Sequence, residues 1–294
     1  MQKGQVPPCG VDVSIDMNRL ACSFDGDADR IVFHAFKEDG SWVLYDGDKE
    51  AALAALMIFQ EFNVLKDAFA AKGEEFSLGC VQTAYANGAS TAFLRSNDVP
   101  VVFAKTGVKY LHHKAEDFDI GVYFEANGHG TILFSKRLLS SLTKLQVEMQ
   151  SAGVADRKKV AVERLLACAD VINQAVGDAL SDMLLIIAAL HILCMDMRSW
   201  ESMYTDLPSK QLKVPVPNKE LIRCSIDEMR TEEPKAMQIE LDDAMGKVSD
   251  GRCFIRPSGT EDVVRVYAEA ATSEEANWLA EEAIKIIKKN LGEA

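Results

Sequence analysis

FSLGCVQTAYANGASTAFLRSNDVPVVFAKTGVKYLHHKAEDFDIGVYFEANGHGTILF, residues Phe76–Phe134, switches repeatedly between short extended-type apolar runs and segments with helical spacing. Phe76–Gln82 predicts a strand, Ala89–Ser96 a helix, Val99–Ala104 a strand and Lys109–Asp117 a helix, and Ile120–Glu125 and Thr131–Phe134 predict strands around a tight glycine-containing loop. Strands and helices that alternate in this way bury their apolar faces by layering helices on a sheet. Upstream, the turns Asp39-Gly40-Ser41 and Asp46-Gly47-Asp48 lead into Lys49–Phe69, rich in alanine and leucine with helical periodicity. Before them, Leu20–Phe24 and Ile31–Phe36 predict two strands joined by the polar loop Asp25–Arg30. Downstream, helices are expected over Leu138–Gln150, Val160–Gln174 and Asp178–Met197.

A break follows at Leu207-Pro208-Ser209 and Val214-Pro215-Val216-Pro217-Asn218, where proline spacing predicts an extended linker. Beyond it, a helix near Asp227–Ile239, strands at Cys253–Ile255 and Val263–Ala270, and a helix over Ser273–Leu291 with Ser273 as its N-cap make a second module. The expected class is therefore α/β: an open mixed-sheet α/β domain followed by a smaller α+β C-terminal domain.

Composition bounds the partners. Of 294 residues, 32 are Lys or Arg and 45 are Asp or Glu, a formal net charge of −13. Phosphate backbones and anionic bilayers are bound by clustered cations, so neither nucleic acid nor a membrane surface is an expected partner. A local basic pocket for one phosphate remains compatible with that charge. The longest apolar run, Met183–Met195, is too short to span a bilayer and predicts a buried core helix. Met1–Pro8 has no apolar signal-type core, and seven cysteines without a CxxC pair suit a reducing compartment. The expected location is cytoplasmic.

Three loops carry chemistry. In Phe24-Asp25-Gly26-Asp27-Ala28-Asp29-Arg30, the carboxylates of Asp25, Asp27 and Asp29 alternate with Gly and Ala, so a curled loop brings all three to one point. Converging like charges call for a divalent cation, and oxygen-only donors select Mg²⁺ or Mn²⁺. A solvated acidic turn is the alternative; the flanking strands and the capping arginine favour the metal. Arg30 beside it suits a further anion such as a phosphate. Glu125-Ala126-Asn127-Gly128-His129-Gly130 combines acceptors and donors on a backbone that approaches a ligand closely, as sugar hydroxyls require, although alone it reads better as a polar hairpin tip. Arg256-Pro257-Ser258-Gly259-Thr260-Glu261 offers a guanidinium fork, two hydroxyls and a concave turn to a phosphate, with Arg265 further along the next strand. Lys109, in Thr106-Gly107-Val108-Lys109, stands at a predicted helix start where an anion is favoured.

FDGDADR (Phe24–Arg30), TGVKYLHH (Thr106–His113), FDIGVYFEANGHG (Phe118–Gly130) and RCFIRPSGTEDVVRVYAEA (Arg252–Ala270), in that order, closely resemble the α-D-phosphohexomutase superfamily. The EANGHG loop, with VQTAYANGAST (Val81–Thr91) before it, looks like the eukaryotic phosphoacetylglucosamine mutase branch. The resemblance implies interconversion of N-acetylglucosamine 6-phosphate and 1-phosphate through a phosphoserine and a bisphosphate intermediate, on the route to UDP-N-acetylglucosamine. It implies Mg²⁺ held by Asp25, Asp27 and Asp29. Glu125, Ala126 and Asn127 would face the sugar, with Arg30 near the anion. Arg256, Pro257, Ser258, Gly259, Thr260 and Arg265 would hold the phosphate that does not react, and Lys109 and His129 would be the proton-transfer candidates.

The resemblance also implies four domains, the first carrying the nucleophile in a Ser-His-Asn-Pro-type loop. No Ser-His or His-Asn dipeptide occurs among these residues. Residues 1–40 are expected to be the tail of the second domain, 41–204 the sugar-binding third and 205–294 the phosphate-binding fourth. By itself such a chain is expected to lack mutase turnover, its partners being N-acetylglucosamine phosphates and a missing N-terminal domain or complementary chain. Two other readings stay open: a non-catalytic phosphosugar-binding protein, and metal-assisted phosphosugar hydrolysis with water as nucleophile.

Overall fold

The Asp25–Arg30 turn closes a hairpin. In the computed structural model, which describes residues 7–151 and 157–292, β1 (Ala21–Phe24) pairs antiparallel with β2 (Ile31–Phe36), Phe24 opposite Ile31. Most of Met1–Pro8 lies outside the described residues. A short α1 (Val13–Asp16) precedes the hairpin, and β3 (Trp42–Tyr45) completes a three-stranded sheet. The sequence pattern assigns no element to Trp42–Tyr45, between the two Asp-Gly turns. Its four residues, bracketed by two Asp-Gly turns, are too short for a period to register, yet they pair fully with β2.

The described residues pack as two units, one of 7–82, 92–102, 111–151 and 157–204 and the other of 83–91, 103–110 and 205–292. In the first, Asp46 caps α2 (Gly47–Asn63) by accepting from the Lys49 amide, and an almost unbroken run from Ala51 to Phe62 is buried. The expected helix Lys49–Phe69 is divided here. The Val64 amide bonds to the Phe62 carbonyl, ending the ladder, and α3 (Lys66–Ala70) starts afresh so that Phe69 stacks on Phe62 with centroids 5.6 Å apart.

β4 (Leu78–Thr83), α4 (Gly88–Ser96), β5 (Val101–Ala104), α5 (Val108–Ala115), β6 (Ile120–Phe124) and β7 (Gly130–Phe134) follow in the expected alternation. Their sheet has the order β5-β4-β6-β7, with β4 and β6 parallel and β6 and β7 antiparallel. It is the open mixed sheet expected from the sequence. Helices α6 (Lys136–Ser151), α7 (Arg157–Val171) and α8 (Ala179–Ile192) enclose the core with α2. The predicted helix Asp178–Met197 stops at Ile192 because Cys194 takes φ +53°, and α9 (Met197–Glu201) restarts under a capping box between Asp196 and Ser199. The apolar run is also not wholly buried. Leu185, Ile186, Ala189 and Leu190 face the core, whereas Leu184 and Ile187 are about half exposed.

The second unit corrects the linker. Ser209–Pro215 is β8, paired with β12 (Val263–Glu269), which in turn pairs with β11 (Arg252–Pro257). Proline is tolerated there because β8 is an edge strand and Pro215 its last residue. The helix expected near Asp227–Ile239 is α10 at Lys235–Met245; a hairpin of β9 (Arg223–Cys224) and β10 (Thr231–Glu233) occupies the earlier positions, with Pro234 at the N-cap. The last helix, α11 (Ser273–Leu291), has its predicted bounds, but the cap is Thr272, whose hydroxyl accepts from the Glu275 amide, not Ser273. No helix among the described residues is long and apolar enough to cross a membrane.

Two acids are buried in the first unit without compensation. Neither oxygen of Glu50 or of Asp182 has a hydrogen-bond partner among the described residues. Burial, reinforced by Asp182 and Asp46, pushes Glu50 well above the usual carboxylate range, and burial with Asp178 nearby pushes Asp182 up to about 8. An acid that holds its proton to about pH 8 when folded and releases it near 3.8 when unfolded costs stability as pH rises between those values, after which the cost is constant. Asp182→Asn is expected to melt above the wild type at pH 8, by at least about 2 °C, with the difference closing toward pH 4 in calorimetric scans. A pH-independent difference would refute the assignment.

Candidate functional site

The metal-type loop is built by its own first carboxylate. Asp25 Oδ1 accepts from the amides of Asp29 and Arg30, both at 3.2 Å, and the Ala28 amide donates to the Asp25 carbonyl at 3.3 Å with Ala28 at φ +56°. The turn thus curls the chain so that one carboxylate oxygen from each of Asp25, Asp27 and Asp29 lies within 4.8 Å of the others. Arg30 Nε stands 3.5 Å from both Asp25 and Asp29. Desolvation works against charge on Asp25, but its bonds with Asp29 and to the Arg30 and Asp29 amides outweigh it, holding the carboxyl below its ordinary value. Desolvation raises Asp29, opposed by His129 and reinforced by the charges of Asp25 and Asp27. Asp29 Oδ1 is buried with no hydrogen-bond donor among the described residues. Three hard oxygen donors, one of them buried with only the Arg30 ion pair beside it, fit a divalent cation of the Mg²⁺ class.

The Glu125–Gly130 loop belongs to the same unit and is tied to the first. Glu125 N–H donates to the His129 carbonyl at 2.9 Å, Gly128 N–H to Glu125 at 2.8 Å, and Ile31 N–H to Gly128 at 3.2 Å. Gly128 is at φ +83°, and a Cβ there would lie 1.6 Å from the Ile31 carbonyl oxygen, so only glycine permits the approach. His129 Nδ1 sits 3.5 Å from Asp29 Oδ2, against the metal-type loop. A cavity of about 360 Å³ is lined by Ser23 at the end of β1, Asp25 and Arg30 from the loop after it, and Ala126 and Asn127 from the other loop. The structure thus brings Asp25, Asp27, Asp29, Arg30, Ala126, Asn127 and His129 together, with Glu125 half-buried at the base of its loop.

The remaining predicted residues are in the second unit. Arg256 and Arg265 are direct cross-strand partners, and Arg265 is in turn opposite Lys213 on β8. Three cations in a row across three strands repel one another. Glu228 offsets the first, its Oε1 3.4 Å from Arg256 Nη1, and Glu261 offsets the others, 3.2 Å from Arg265 and 2.8 Å from Lys213. Burial works against the Arg256 charge, but the hydrogen bond it donates to Tyr85 Oη and the nearby Glu228 raise its pKa above the ordinary value. Ser258 Oγ, buried, accepts from the Thr260 and Glu261 amides at 3.4 and 3.3 Å, which shapes the turn through Pro257, Ser258, Gly259 and Thr260. Lys109 is exposed, its ammonium 4.8 Å from the Tyr110 ring centroid.

Residues 46–195 match the family model described as phosphoacetylglucosamine mutase AMG1, domain III. The chain belongs to the phosphoacetylglucosamine mutase family. Residues 212–286 match the phosphoglucomutase/phosphomannomutase C-terminal domain. The phosphoacetylglucosamine mutase of Arabidopsis thaliana is 48% identical over 99% of this chain and 52% of its own length, and that of Homo sapiens 46% identical over 95% and 49%. Among solved structures, an N-acetylglucosamine-phosphate mutase in a product complex superposes with TM-score 0.86 at 40% identity, covering 96% of this chain and 50% of that one. The Aspergillus fumigatus N-acetylphosphoglucosamine mutase in complex with GlcNAc-6P and magnesium gives 0.84 at 40% identity, covering 96% and 54%. The chain thus spans about half the length of the relatives it matches.

Sequence reasoning overlooked four supports. Lys213 and Lys219 stood in the stretch read as a linker and its continuation, so the alternation that puts Lys213 in the cation row went unused. Lys219 Nζ donates to the Ser258 and Glu261 carbonyls and braces the phosphate-type turn. Glu228 fell inside a predicted helix. Gly177 carried no signal beyond preceding Asp178, the α8 cap, yet a Cβ there would lie 2.5 Å from the His129 ring and 2.9 Å from the Asp29 carbonyl. Gly177→Ala is therefore expected to cost about 1–3 kcal/mol, read as a lowered melting temperature; an unchanged one would mean that His129 moves aside freely.

Proposed function

We propose that these residues form the metal-, sugar- and phosphate-binding part of a phosphoacetylglucosamine mutase, acting on N-acetylglucosamine 6-phosphate and 1-phosphate. The observation that carries the reading is the convergence of Asp25, Asp27 and Asp29 donor atoms within 4.8 Å, braced by Arg30 and His129 beside the Ala126–Asn127 loop. Mg²⁺ on these oxygens supplies charge neutralisation for phosphoryl transfer. Glu125 and Asn127 orient the sugar through its hydroxyls. Arg256 and Arg265 hold the unreacting phosphate, relieving the repulsion between two opposed guanidiniums, with the Ser258 hydroxyl and the Gly259–Thr260 backbone completing the cradle. His129, whose Nδ1 faces Asp29, steadies the metal loop and is one proton-transfer candidate; Lys109 is the other. Seven free thiols suit a cytoplasmic setting.

The phosphoserine nucleophile has no counterpart among these 294 residues. Alone they are expected to bind phosphosugar without converting it, the serine loop being supplied by a further domain or a complementary chain. Titration calorimetry tests the metal site: Mn²⁺ binding to Asp27→Ala is expected to weaken at least about tenfold, while the fold is retained because Asp27 is exposed. Equal affinity in the two proteins would remove the assignment. A coupled assay on the purified 294-residue chain should detect neither 1-phosphate nor free phosphate formed from N-acetylglucosamine 6-phosphate; turnover would overturn the proposed inactivity, and phosphate release that vanishes in Asp27→Ala would favour hydrolysis.

A further inference from the structure

The loop Ser225–Arg230, between β9 and β10, holds one non-glycine residue in the left-handed region, Glu228 at φ +59°. The loop braces itself in that shape. The Ser225 amide donates to the Arg230 carbonyl and the Glu228 amide to the Ser225 carbonyl, both at 2.9 Å, while Asp227 Oδ1 accepts from Ser225 Oγ at 2.6 Å and from the Met229 amide at 3.1 Å. The strained residue is the one whose side chain turns inward. Glu228 is 6% exposed, and its two oxygens serve different partners: Oε1 faces Arg256 Nη1 at 3.4 Å, and Oε2 accepts the Thr106 amide at 3.0 Å. Backbone strain at a site over-determined by its surroundings points to a role for the group it aims.

The partners are informative. Arg256 Nε is taken by Tyr85 Oη at 3.0 Å, and Tyr85 is packed edge-on against Phe254 and Tyr267, with centroids 5.0 and 5.9 Å away. With Nε and one side of Nη1 occupied, the guanidinium is held in one orientation on β11. Thr106 begins the turn to Lys109: Gly107 at φ +119° follows it, and the Tyr110 amide donates to the Gly107 carbonyl at 2.8 Å. One buried carboxylate therefore bridges the arginine of the phosphate-type row and the turn that carries the candidate lysine, all within one packed unit.

We propose that Glu228 is a positioning residue: it orients Arg256 for a phosphate monoester and couples occupancy of Arg256 to the Thr106–Lys109 turn. The proposal rests on the phosphate role given to Arg256 above. A phosphate accepted by Arg256 draws on the guanidinium, changes its bond with Oε1, and so changes the bond that Oε2 makes to Thr106. Substrate bound through one phosphate thereby reaches the turn bearing Lys109 without touching it.

The test uses the ¹⁵N-labelled 294-residue chain titrated with N-acetylglucosamine 6-phosphate and, separately, with inorganic phosphate. In the wild type, the Arg256 Nε–H and Thr106 amide resonances are expected to shift together with one dissociation constant. Glu228→Ala should weaken binding at least about tenfold and leave the Thr106 amide unmoved by ligand. Glu228→Gln, which keeps a carbonyl acceptor, should recover part of both effects and provides the readout if Glu228→Ala does not fold. A purely structural role would lower the melting temperature of the variants while leaving the affinity and the paired shifts intact, and that result overturns the proposal. Wild-type protein that binds no phosphate, or binds it equally after Arg256→Ala, instead removes the functional reading of Arg256, and the positioning role falls with it.

Discussion

The Ile31 amide donates to the Gly128 carbonyl across 3.2 Å, and the geometry of the first unit's site depends on that bond. It requires residue 128 to have no side chain, since a Cβ would overlap the Ile31 carbonyl. Once made, it sets the end of the Asp25–Arg30 turn against the Glu125–Gly130 turn, and His129 reaches Asp29 as a consequence. Two further approaches keep the pair in place. The Gly47 amide donates to the Ala126 carbonyl at 3.3 Å and the Ala179 amide to the Ala28 carbonyl at 3.0 Å. The N-terminal ends of α2 and α8 are thus fastened one under each loop, and the carboxylates converge on backbone that is already fixed.

The phosphate-type row obeys the opposite logic. There the backbone is regular sheet, and the unusual feature is electrostatic: Arg256, Arg265 and Lys213 are set directly opposite one another. Sheets normally avoid like charges in register. Here Glu228 and Glu261 offset part of the repulsion at distances between 2.8 and 3.4 Å, leaving donors free to meet an anion. A chain with a net charge of −13 can keep such a patch because it is confined to one face of three short strands.

Much of this was legible in the sequence, for a physical reason. The Phe76–Phe134 alternation, the hairpin around Asp25–Arg30 and the bounds of α11 follow from local periodicity and turn chemistry, and those elements formed as expected. The carboxylate triplet was legible because its spacing alone brings the groups together. What escaped depends on contacts between residues far apart in sequence. Ser209–Pro215 carries prolines that read as a linker until β12 supplies its partner. The division of Asp178–Met197 hangs on one left-handed residue, Cys194, which no pattern marks. Gly177 and Glu228 matter through what they touch, His129 and Asp29 in one case and Arg256 and Thr106 in the other. A sequence window cannot contain those pairs.

The C-terminal strands and helices also owe their order to residues well before them. Arg252 donates to the Ala84 and Ala86 carbonyls, its guanidinium lies over the Tyr267 ring, and Glu269, 1% exposed, accepts from the Gly88 amide as well as from Arg252 and Tyr267. Removing one of these donors would leave a buried charge under-compensated, which is costly. Residues 83–91 therefore complete the hydrogen bonding of a module that the proline stretch seemed to separate, and residues 103–110 complete its phosphate-type site through Thr106. Cutting the chain before β8 would leave Glu269 buried without the Gly88 amide and Arg252 without two of its carbonyls, so the module's stability and its anion chemistry both require the earlier segments to be present in the same polypeptide.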